Sequence, residues 1–352
     1  MSHSPITLGE IAHAAGVSTM TASRALNHQP GVSPKTRDLI LRLAADMGYA
    51  ANRSAQKLAS GKSRVIGLLA AELDNPFTGA LVSGAVRAAA ASGHEVLIYS
   101  LVDHDKKPRS NVLALLQQFT DGVIAVLPYH FGFVEQLQAA QHPVITIDNH
   151  SAQNRFVSIA ADSYGGARLA LAHLAELGHK RIAFLTGDEQ LVSASDRHKA
   201  FNDAVLLHGL DKSTELVLKG DFSFFSGREA AKKILNMRRK PTAIFTANDM
   251  SAFGLMGALQ SAGIRIPEDI SVIGFDDLPA AQQMHPALTT VRQPIAEMGR
   301  VAVNTLLAQM AGLEIPIPHI SLPTSLVLRA STADISVKVI SNHLTLPKLA
   351  HL

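Results

Sequence analysis

Residues 6–27 read ITLGEIAHAAGVSTMTASRALN, and this stretch decides the fold of the N-terminal part of the chain. Its second to fifth positions, Thr7-Leu8-Gly9-Glu10, match a capping box, in which the threonine and the glutamate each hydrogen-bond the other's backbone. The pattern predicts a short helix from Leu8 to about Ala15. Gly16 then ends the helix, so a tight turn is expected there.

Two more helix starts follow. Ser18 can cap a second helix that runs from Thr19 to about Leu26. Ser33 and Pro34 supply an N-cap and a first-turn proline for a third helix, which Gly48 ends. The predicted apolar face of this third helix consists of Leu39, Ile40, Leu43, Ala44 and Met47. Two short helices joined by a glycine turn, with a third that closes the core, predict a helix-turn-helix domain.

The second helix of such a domain lies in the major groove, where its N-terminal residues contact base edges. Here the relevant residues are Thr19, Met20 and Thr21, with Ser23 and Arg24 one turn later. An arginine can bond a guanine through two hydrogen bonds, and a methionine can pack on a thymine methyl group. Apolar residues elsewhere already supply the buried face, so Met20 is not needed for the core.

Charge is distributed unevenly along the chain. Residues 1–64 hold eight Lys or Arg and three Asp or Glu, a net charge of +5, whereas residues 65–352 carry a net charge of −2. A basic segment on a nearly neutral body is typical of proteins that bind a polyanion. On charge alone, a solvated surface with a chance excess of cations is an equal alternative.

A short segment after the third helix has the pattern of a hinge. Asn52 can cap, and Gly61 can stop, a helix of about eight residues, which is too short to be stable alone in water. Leu58 is its one large apolar residue and has basic neighbours. A helix that forms only on DNA and inserts a leucine between base steps would explain the pattern. A flexible linker with an incidental leucine is the alternative, and the pattern alone favours that linker.

From Arg64 onward, short apolar runs alternate with amphipathic stretches. The runs that predict buried parallel strands are Val65–Ala70, Glu95–Leu101, Gly122–Leu127, Val144–Ile147, Arg181–Thr186, Ala243–Thr246 and Ser271–Phe275. The amphipathic stretches include Pro76–Ser92, Ser163–Leu177, Asp249–Ala262 and Pro294–Ala311. This alternation predicts a doubly wound α/β architecture. The length favours two sheets over one, with the boundary near Ser158–Ala161.

Polar pairs follow three of the predicted strands. They are Asp148-Asn149, Asn248-Asp249 and Asp276-Asp277. Open α/β sheets bind ligands outside the carboxyl ends of their strands, so these side chains are expected to converge on one crevice. Any one of them taken alone is better explained as a helix N-cap. Asp249 is the best candidate for a pure cap, while Asn248 and Asp276 are the better candidates for ligand contacts.

The motifs along nearly the whole chain resemble those of the LacI/GalR family of bacterial transcription regulators. Besides residues 6–27, the matching stretches are 32–37, 47–49, 52–58, 73–77, 162–167, 177–183, 246–249 and 272–277. The resemblance implies an all-α helix-turn-helix DNA-binding domain over residues 1–50 and a hinge helix over 51–63. It further implies a two-lobed α/β core like that of periplasmic binding proteins over 64–332. Residues 333–352 depart from the family pattern and show no clean heptad, so their role is left open.

The resemblance also implies site residues. The residues expected to contact DNA are Thr7, Ser18, Thr19, Met20, Thr21, Ser23, Arg24, Asn27, Asn52, Ala55, Lys57 and Leu58, with Leu58 as the minor-groove wedge. The residues expected to hydrogen-bond a small-molecule effector in the interlobe cleft are Asp148, Arg197, Asn248 and Asp276, with Phe77 and Phe222 as its walls. The family implies a homodimer on a pseudo-palindromic double-stranded operator, more often a repressor than an activator.

The effector class follows less directly from the residues. Carboxylates, an amide and an arginine beside phenylalanine walls favour a neutral sugar or sugar acid. The chain has no tryptophan, which removes the strongest stacking side chain. A purine or nucleoside stacked on Phe222 is the alternative ligand. For the function of the whole chain, the alternative is a small-molecule sensor whose N-terminal helices bind protein instead of DNA.

Several functions lack the residues they need. The chain has no cysteine, which excludes disulfides, thiolate metal sites and a cysteine nucleophile. It also lacks the phosphate-loop, dinucleotide, nucleophile-elbow and zinc-helix motifs, so we expect neither an enzyme nor a cofactor or metal. The cluster Asp103-His104-Asp105 is interpreted as a solvated loop. Neither a secretory signal nor an apolar run of about 18 residues is present, which predicts a cytoplasmic protein without a membrane span.

Overall fold

The structure is a computed structural model that describes residues 6–27, 29–49, 62–70, 73–100, 112–126, 142–148, 156–316 and 319–335. The chain divides into two compact units, Met1–Ser63 and Arg64–Leu352. The predicted hinge helix, with Asn52, Ala55, Lys57 and Leu58, lies outside the described residues, and so does the Asp103-His104-Asp105 cluster. In the described ranges, no helix is both long and apolar enough to cross a membrane.

The described residues of the N-terminal unit form three helices, as predicted. They are α1 (Leu8–Ala14), α2 (Thr19–Leu26) and α3 (Pro34–Asp46). Both halves of the capping box are present at α1, and Ser18 and Ser33 cap α2 and α3. Gly16 adopts a φ of 65°, in the left-handed region that glycine tolerates best. The helix-turn-helix prediction is therefore confirmed.

The core of this unit is small. Its buried residues are Ile11, Ala25, Ile40 and Ala44, with Val17, Leu26 and Met47 packed against them. The pattern wrongly placed Leu39 on the apolar face, because this side chain is 41% exposed. Ile40, its neighbour, is fully buried and occupies the position that faces α1 and α2.

The core unit contains two six-stranded sheets, each of which defines a lobe. The first lobe contains β1 (Val65–Ala70), α4 (Pro76–Ala91), β2 (Glu95–Ser100), α5 (Val112–Phe119), β3 (Gly122–Val126), β4 (Val144–Ile147), β5 (Val157–Ala161), α10 (Ile295–Met310) and β11 (His319–Leu322). The strand order of its sheet is β11-β5-β4-β3-β1-β2, and all neighbours are parallel.

The second lobe follows the same plan. It contains α6 (Ser163–Glu176), β6 (Ile182–Leu185), α7 (Val192–Leu207), β7 (Val217–Leu218), α8 (Phe224–Leu235), β8 (Ala243–Thr246), α9 (Asp249–Ser261), β9 (Ser271–Asp276), β10 (Thr289–Arg292) and β12 (Ser325–Val327). The strand order is β12-β10-β9-β8-β6-β7, and only β12 is antiparallel to its neighbour. The doubly wound two-sheet prediction is thus confirmed.

The chain passes between the lobes three times, after β5, after β10 and after β11. The single boundary predicted near Ser158–Ala161 is therefore only the first crossing, and those residues themselves form β5. Because α10 and β11 return to the first lobe, its sheet is completed by residues that lie about 160 positions beyond that boundary. The first lobe therefore draws on residues from both sides of that boundary, whereas the second lobe lies entirely beyond it.

Two expectations about strands need correction. The run from Glu95 predicts a buried strand, but β2 lies at the edge of its sheet, and Leu97 and Ile98 are each 38% exposed. The pattern also missed β5, β7, β10, β11 and β12, which have only two to five residues each. They lack the continuous apolar run that marked β4, β6 and β8, which are about as short.

A glycine contact joins one helix pair in each lobe. In the first lobe α4 packs on α10, and a Cβ at Gly84 would overlap the carbonyl oxygen of Ala296. Gly299 meets the carbonyl oxygen of Leu81 in the same way. In the second lobe α8 packs on α9 through the corresponding pair Gly227 and Gly254. The missing side chains let the two backbones approach closely.

We expect Gly84→Ala to destabilise the core by about 1–3 kcal/mol, because the added methyl group must push α4 away from α10. Gly79 is the matched control on the same helix, since a Cβ there meets nothing within 4 Å. Gly79→Ala is expected to stabilise the protein by about 0.5–1 kcal/mol through helix propensity. Urea unfolding measures the change in the free energy of unfolding for both variants. If both changes had the same sign, the close-packing interpretation would be contradicted.

Candidate functional site

Helix α2 presents one face to the core and the opposite face to solvent. Ala22 and Ala25 are fully buried, whereas the Met20 side chain is 63% exposed. Thr19 and Arg24 are also exposed. A long apolar side chain held in water has no role in the packing of this unit. The exposed face therefore carries the residue types that the predicted DNA contacts require.

Three of the predicted DNA-contact residues also cap helices or bond a helix end. Thr7 caps α1 and accepts a hydrogen bond from the Glu10 amide, and Ser18 caps α2 and accepts one from the Thr21 amide at 3.2 Å. The side-chain amide of Asn27 donates to the Ser23 carbonyl at 2.9 Å. Thr21 and Ser23 are half-buried. The DNA contacts of all these residues stay predictions.

Arg197 is the buried centre of the candidate effector site. It lies on α7, is only 3% exposed, and donates from Nη1 to the Ala247 carbonyl at 2.5 Å and from Nη2 to Ser163 Oγ at 3.3 Å. Its Nε atom is buried and has no hydrogen-bond partner in the described part of the chain. Its guanidinium carbon lies 3.7 Å from the centre of the Phe275 ring. Burial lowers the pKa of Arg197, opposed by the charges of Asp276 and Asp148.

Asp148 brings a carboxylate from the first lobe. It follows β4, has a φ of 57°, and accepts a hydrogen bond from Ser193 Oγ on α7 at 2.5 Å. This bond joins the two lobes, because β4 and α7 belong to different ones. Burial raises the pKa of Asp148 to about 6, although the Ser193 bond and the Arg197 charge act in the opposite direction.

Asp276 brings a carboxylate from the second lobe. It ends β9 with a φ of 127°, a strained conformation for a residue other than glycine. Its Oδ1 accepts a hydrogen bond from Gln293 Nε2 at 2.6 Å. Burial raises the pKa of Asp276 to about 7, opposed chiefly by the Arg197 charge. Asp148, Arg197 and Asp276 thus form one electrostatic group that draws on both lobes.

The role expected for Asp249 needs correction, while the effector contact of Asn248 stays a prediction. Asn248, not Asp249, caps α9, and its Oδ1 accepts from the Ser251 amide at 3.0 Å while its Nδ2 donates to the Phe222 carbonyl at 3.0 Å. Asp249 is fully buried and accepts from the Leu278 amide and from Thr290 Oγ1. Burial and the nearby Asp276 charge raise the pKa of Asp249 well above its ordinary range. The pure-cap assignment of Asp249 is wrong.

The two phenylalanines predicted as walls lie in different surroundings. Phe222 has a φ of 68°, and its ring lies over Gly187 with the Arg197 guanidinium carbon 5.7 Å from its centre. Phe77 lies in the first turn of α4 and packs against the apolar core. The structure therefore brings Phe222 to the arginine, while the contact of Phe77 with a ligand stays a prediction.

The sequence did not point to several residues that complete the site. Ser193, Gln293 and Phe275 each contact one of the predicted effector residues. Ser193 lies four positions before Arg197, on the same face of α7, which is a signal that helical spacing could have supplied. The contacts of Gln293 and Phe275 depend on tertiary packing and leave no local pattern.

Asp277 holds the loop that carries Asp276. Its carboxylate accepts from Arg292 Nε at 2.6 Å and from Arg329 Nη2 at 2.5 Å. Arg292 ends β10 just before the second crossing, and Arg329 follows β12 just after the third. Asp277 therefore joins the loop that carries Asp276, here called the effector loop, to two of the three segments that connect the lobes.

The cluster suits recognition of a polar, uncharged molecule. Its carboxylates accept hydrogen bonds, the arginine donates them, and the aromatic rings provide apolar contact. Among the residues that the structure describes, no group of three or more His, Asp or Glu has the arrangement of a metal site.

Comparisons with known proteins agree with both parts of this description. Residues 7–52 match the model for bacterial regulatory proteins of the lacI family, and residues 171–332 match that for the periplasmic binding protein-like domain. The chain is 34% identical to the HTH-type transcriptional regulator DegA of Bacillus subtilis, over 94% of this chain and 99% of DegA.

Solved structures are similar over the same length. The Lac repressor dimer bound to operator and the anti-inducer ONPF has a TM-score of 0.84 at 31% identity, covering 94% of this chain and all of that one. The complex of the transcriptional regulator CelR with cellobiose has a TM-score of 0.72 at 28% identity, covering 93% of this chain and 99% of that one. The similarity therefore extends across the helical unit and the two-lobed core.

The raised pKa values of Asp276 and Asp148, about 7 and about 6, mean that the folded core binds more protons than the unfolded chain between about pH 4 and 7. The free energy of unfolding is therefore expected to fall as pH rises through this window. Asp276→Asn should flatten the fall, and Glu189→Gln, which removes an exposed carboxylate from the same lobe, should not. Thermal unfolding from pH 5 to pH 8 checks this, and equal slopes for all three proteins would contradict it.

Proposed function

The chain belongs to the lacI family of bacterial regulatory proteins, and from this premise we propose that it is a ligand-responsive, sequence-specific repressor of a carbohydrate-utilisation operon. The helix-turn-helix unit binds the operator, and the cleft between the lobes binds the effector. As a member of a family of transcription regulators it acts by binding and not by catalysis. It works in the cytoplasm, where the chromosome lies.

DNA recognition is assigned to α2 and to the hinge. The exposed side chains of Thr19, Met20 and Arg24 read base edges in the major groove, and the capping residues hold α2 at the backbone. Asn52, Ala55, Lys57 and Leu58 keep their predicted role in a hinge helix whose leucine enters the minor groove. The chain binds a pseudo-palindrome as a homodimer, an assignment supported by the similar Lac repressor dimer bound to its operator.

The observation that carries the effector site is the buried guanidinium of Arg197. It lies between carboxylates from both lobes, and one of its N–H donors has no partner in the described residues. Because an unsatisfied buried donor is costly, a bound hydroxyl or carbonyl oxygen at this place would lower the free energy of the closed cleft. Two carboxylates facing one arginine favour an uncharged sugar, and the similar CelR–cellobiose complex supports a carbohydrate.

Arg24→Ala is expected to reduce discrimination between operator and random duplex by about tenfold or more, since one bidentate base contact contributes about 1–3 kcal/mol. Arg42→Ala is the matched control, because Arg42 is an exposed arginine on α3, outside the recognition helix. Fluorescence anisotropy with operator and random duplexes measures both ratios. A uniform loss on both duplexes for Arg24→Ala would contradict its base-reading role.

The effector is sought by thermal shift with ribose, cellobiose, cytidine and adenosine, followed by operator release in the anisotropy assay. The sugars are expected to raise the Tm and weaken operator binding, and a response to the nucleosides alone would favour the purine or nucleoside alternative. Arg197→Ala and Asp276→Ala should abolish this response and leave operator affinity unchanged. Ser195→Ala, an exposed neighbour on α7, should retain it. A full response in either cleft variant would remove these residues from the effector site.

A further inference from the structure

The second lobe carries a concentrated basic surface at the end of α8 and in the loop that follows. We define this basic tract by its five cations, Lys232, Lys233, Arg238, Arg239 and Lys240. No acidic residue lies among them in the sequence, and all five are exposed. Residues 65–352 have a net charge of −2, so the core outside this tract carries −7. The tract therefore concentrates five positive charges on a core whose remaining residues carry a net negative charge.

Most cations of the tract lack an ionic partner. Lys232 pairs with Glu229 at 2.6 Å, but the other four form no ion pair in the part of the chain that the structure describes. Outside the tract, every arginine between residues 170 and 335 except Arg228 donates to a carboxylate or backbone oxygen; these are Arg181, Arg197, Arg265, Arg292, Arg300 and Arg329. Bonded arginines are the rule in this part of the chain, and the tract departs from it.

The neighbouring acids are already engaged. The carbonyl of Arg239 accepts a hydrogen bond from Arg181 Nε at 3.1 Å, which fixes the loop beside the start of β6. Arg181 in turn binds both Asp211 and Glu215. These two carboxylates therefore neutralise Arg181, which is buried, and not the exposed tract.

Helix stability accounts for only part of the pattern. Lys232 and Lys233 lie in the last turn of α8, where cations interact favourably with the helix dipole. Arg238, Arg239 and Lys240 lie beyond the helix end, so the dipole gives no reason for three consecutive cations there.

The chemistry of the tract favours one class of partner. The core of a protein interface requires apolar anchors and is depleted in lysine. The apolar residues of the loop, Met237 and Pro241, are half-buried and buried, so neither is an exposed anchor. Binding of single-stranded nucleic acid requires aromatic side chains on which bases stack, and the tract has none. Contacts to the phosphates of a duplex require only accessible cations.

We propose that the basic tract binds the phosphate backbone of duplex DNA without sequence preference, as a second DNA contact distinct from the helix-turn-helix unit. The tract is also separate from the effector site. Arg238–Lys240 precede β8 and Asn248 follows it, so the two features lie at opposite edges of the sheet. Substitutions in the tract therefore leave the effector residues in place.

The test uses the full chain saturated with unlabelled operator duplex, and measures capture of a labelled random-sequence duplex. The tract variant is Arg238→Gln/Arg239→Gln/Lys240→Gln. We expect about tenfold weaker capture than by the wild type, and a salt slope of log K smaller by about 0.9 for each phosphate that the variant no longer neutralises. The control Arg168→Gln/Lys199→Gln/Lys219→Gln removes the same charge from exposed positions of the same lobe and should capture like the wild type.

Equal capture by the tract variant and the wild type, with matching Tm values, would overturn the proposal. A second outcome would also overturn the proposal, in favour of an acidic protein partner. In that outcome the wild type captures poly-glutamate and not the duplex, and the tract variant loses this capture. Operator affinity should be unchanged in the tract variant. If no operator is found, the proposed function fails, but direct binding of the random duplex by the same three proteins still tests the tract.

Discussion

Burying the guanidinium of Arg197 costs several kcal/mol unless opposite charges and hydrogen-bond acceptors surround it. The fold supplies them from both lobes. Asp148 reaches the arginine from the end of β4 in one sheet, and Asp276 from the end of β9 in the other. Parallel strands that end at the facing edges of two sheets are what make this convergence possible. The stability of the buried Arg197 charge thus depends on how the two lobes are placed relative to each other.

This dependence explains how a ligand between the lobes can change the arrangement of the lobes. A polar molecule that enters the cleft changes the surroundings of two groups. They are the interlobe hydrogen bond from Ser193 to Asp148 and the unpaired Nε donor of Arg197. A ligand that binds one arrangement of the lobes better than another shifts the population toward it. Asp277 lies next to Asp276 and joins Arg292 and Arg329. A change at the effector loop is thereby connected to the segments that cross between the lobes.

Local signals predicted the helical unit and most of the buried strands. The caps at Thr7, Ser18 and Ser33 define helix starts because a few neighbouring atoms decide them. Long-range packing decided what the pattern missed. Strands β10 to β12 contain no continuous apolar run, and Leu39 differs from Ile40 only in the direction it faces. Asn248 and Asp249 are both good capping residues, so only the burial of Asp249 against Thr290 separates their roles.

The claim that the cleft carboxylates bind the effector is tested most directly by the protons that binding exchanges. Burial raises the pKa values of Asp148 and Asp276 to about 6 and about 7. Hydroxyl groups that donate hydrogen bonds to these two carboxylates stabilise their ionised forms. Calorimetric titration near pH 6.5, in phosphate and in Tris buffer, with the compound that releases the operator measures this exchange. Net proton release, visible as a binding enthalpy that differs between the buffers, is the predicted result. The same enthalpy in both buffers would contradict the assignment of these carboxylates.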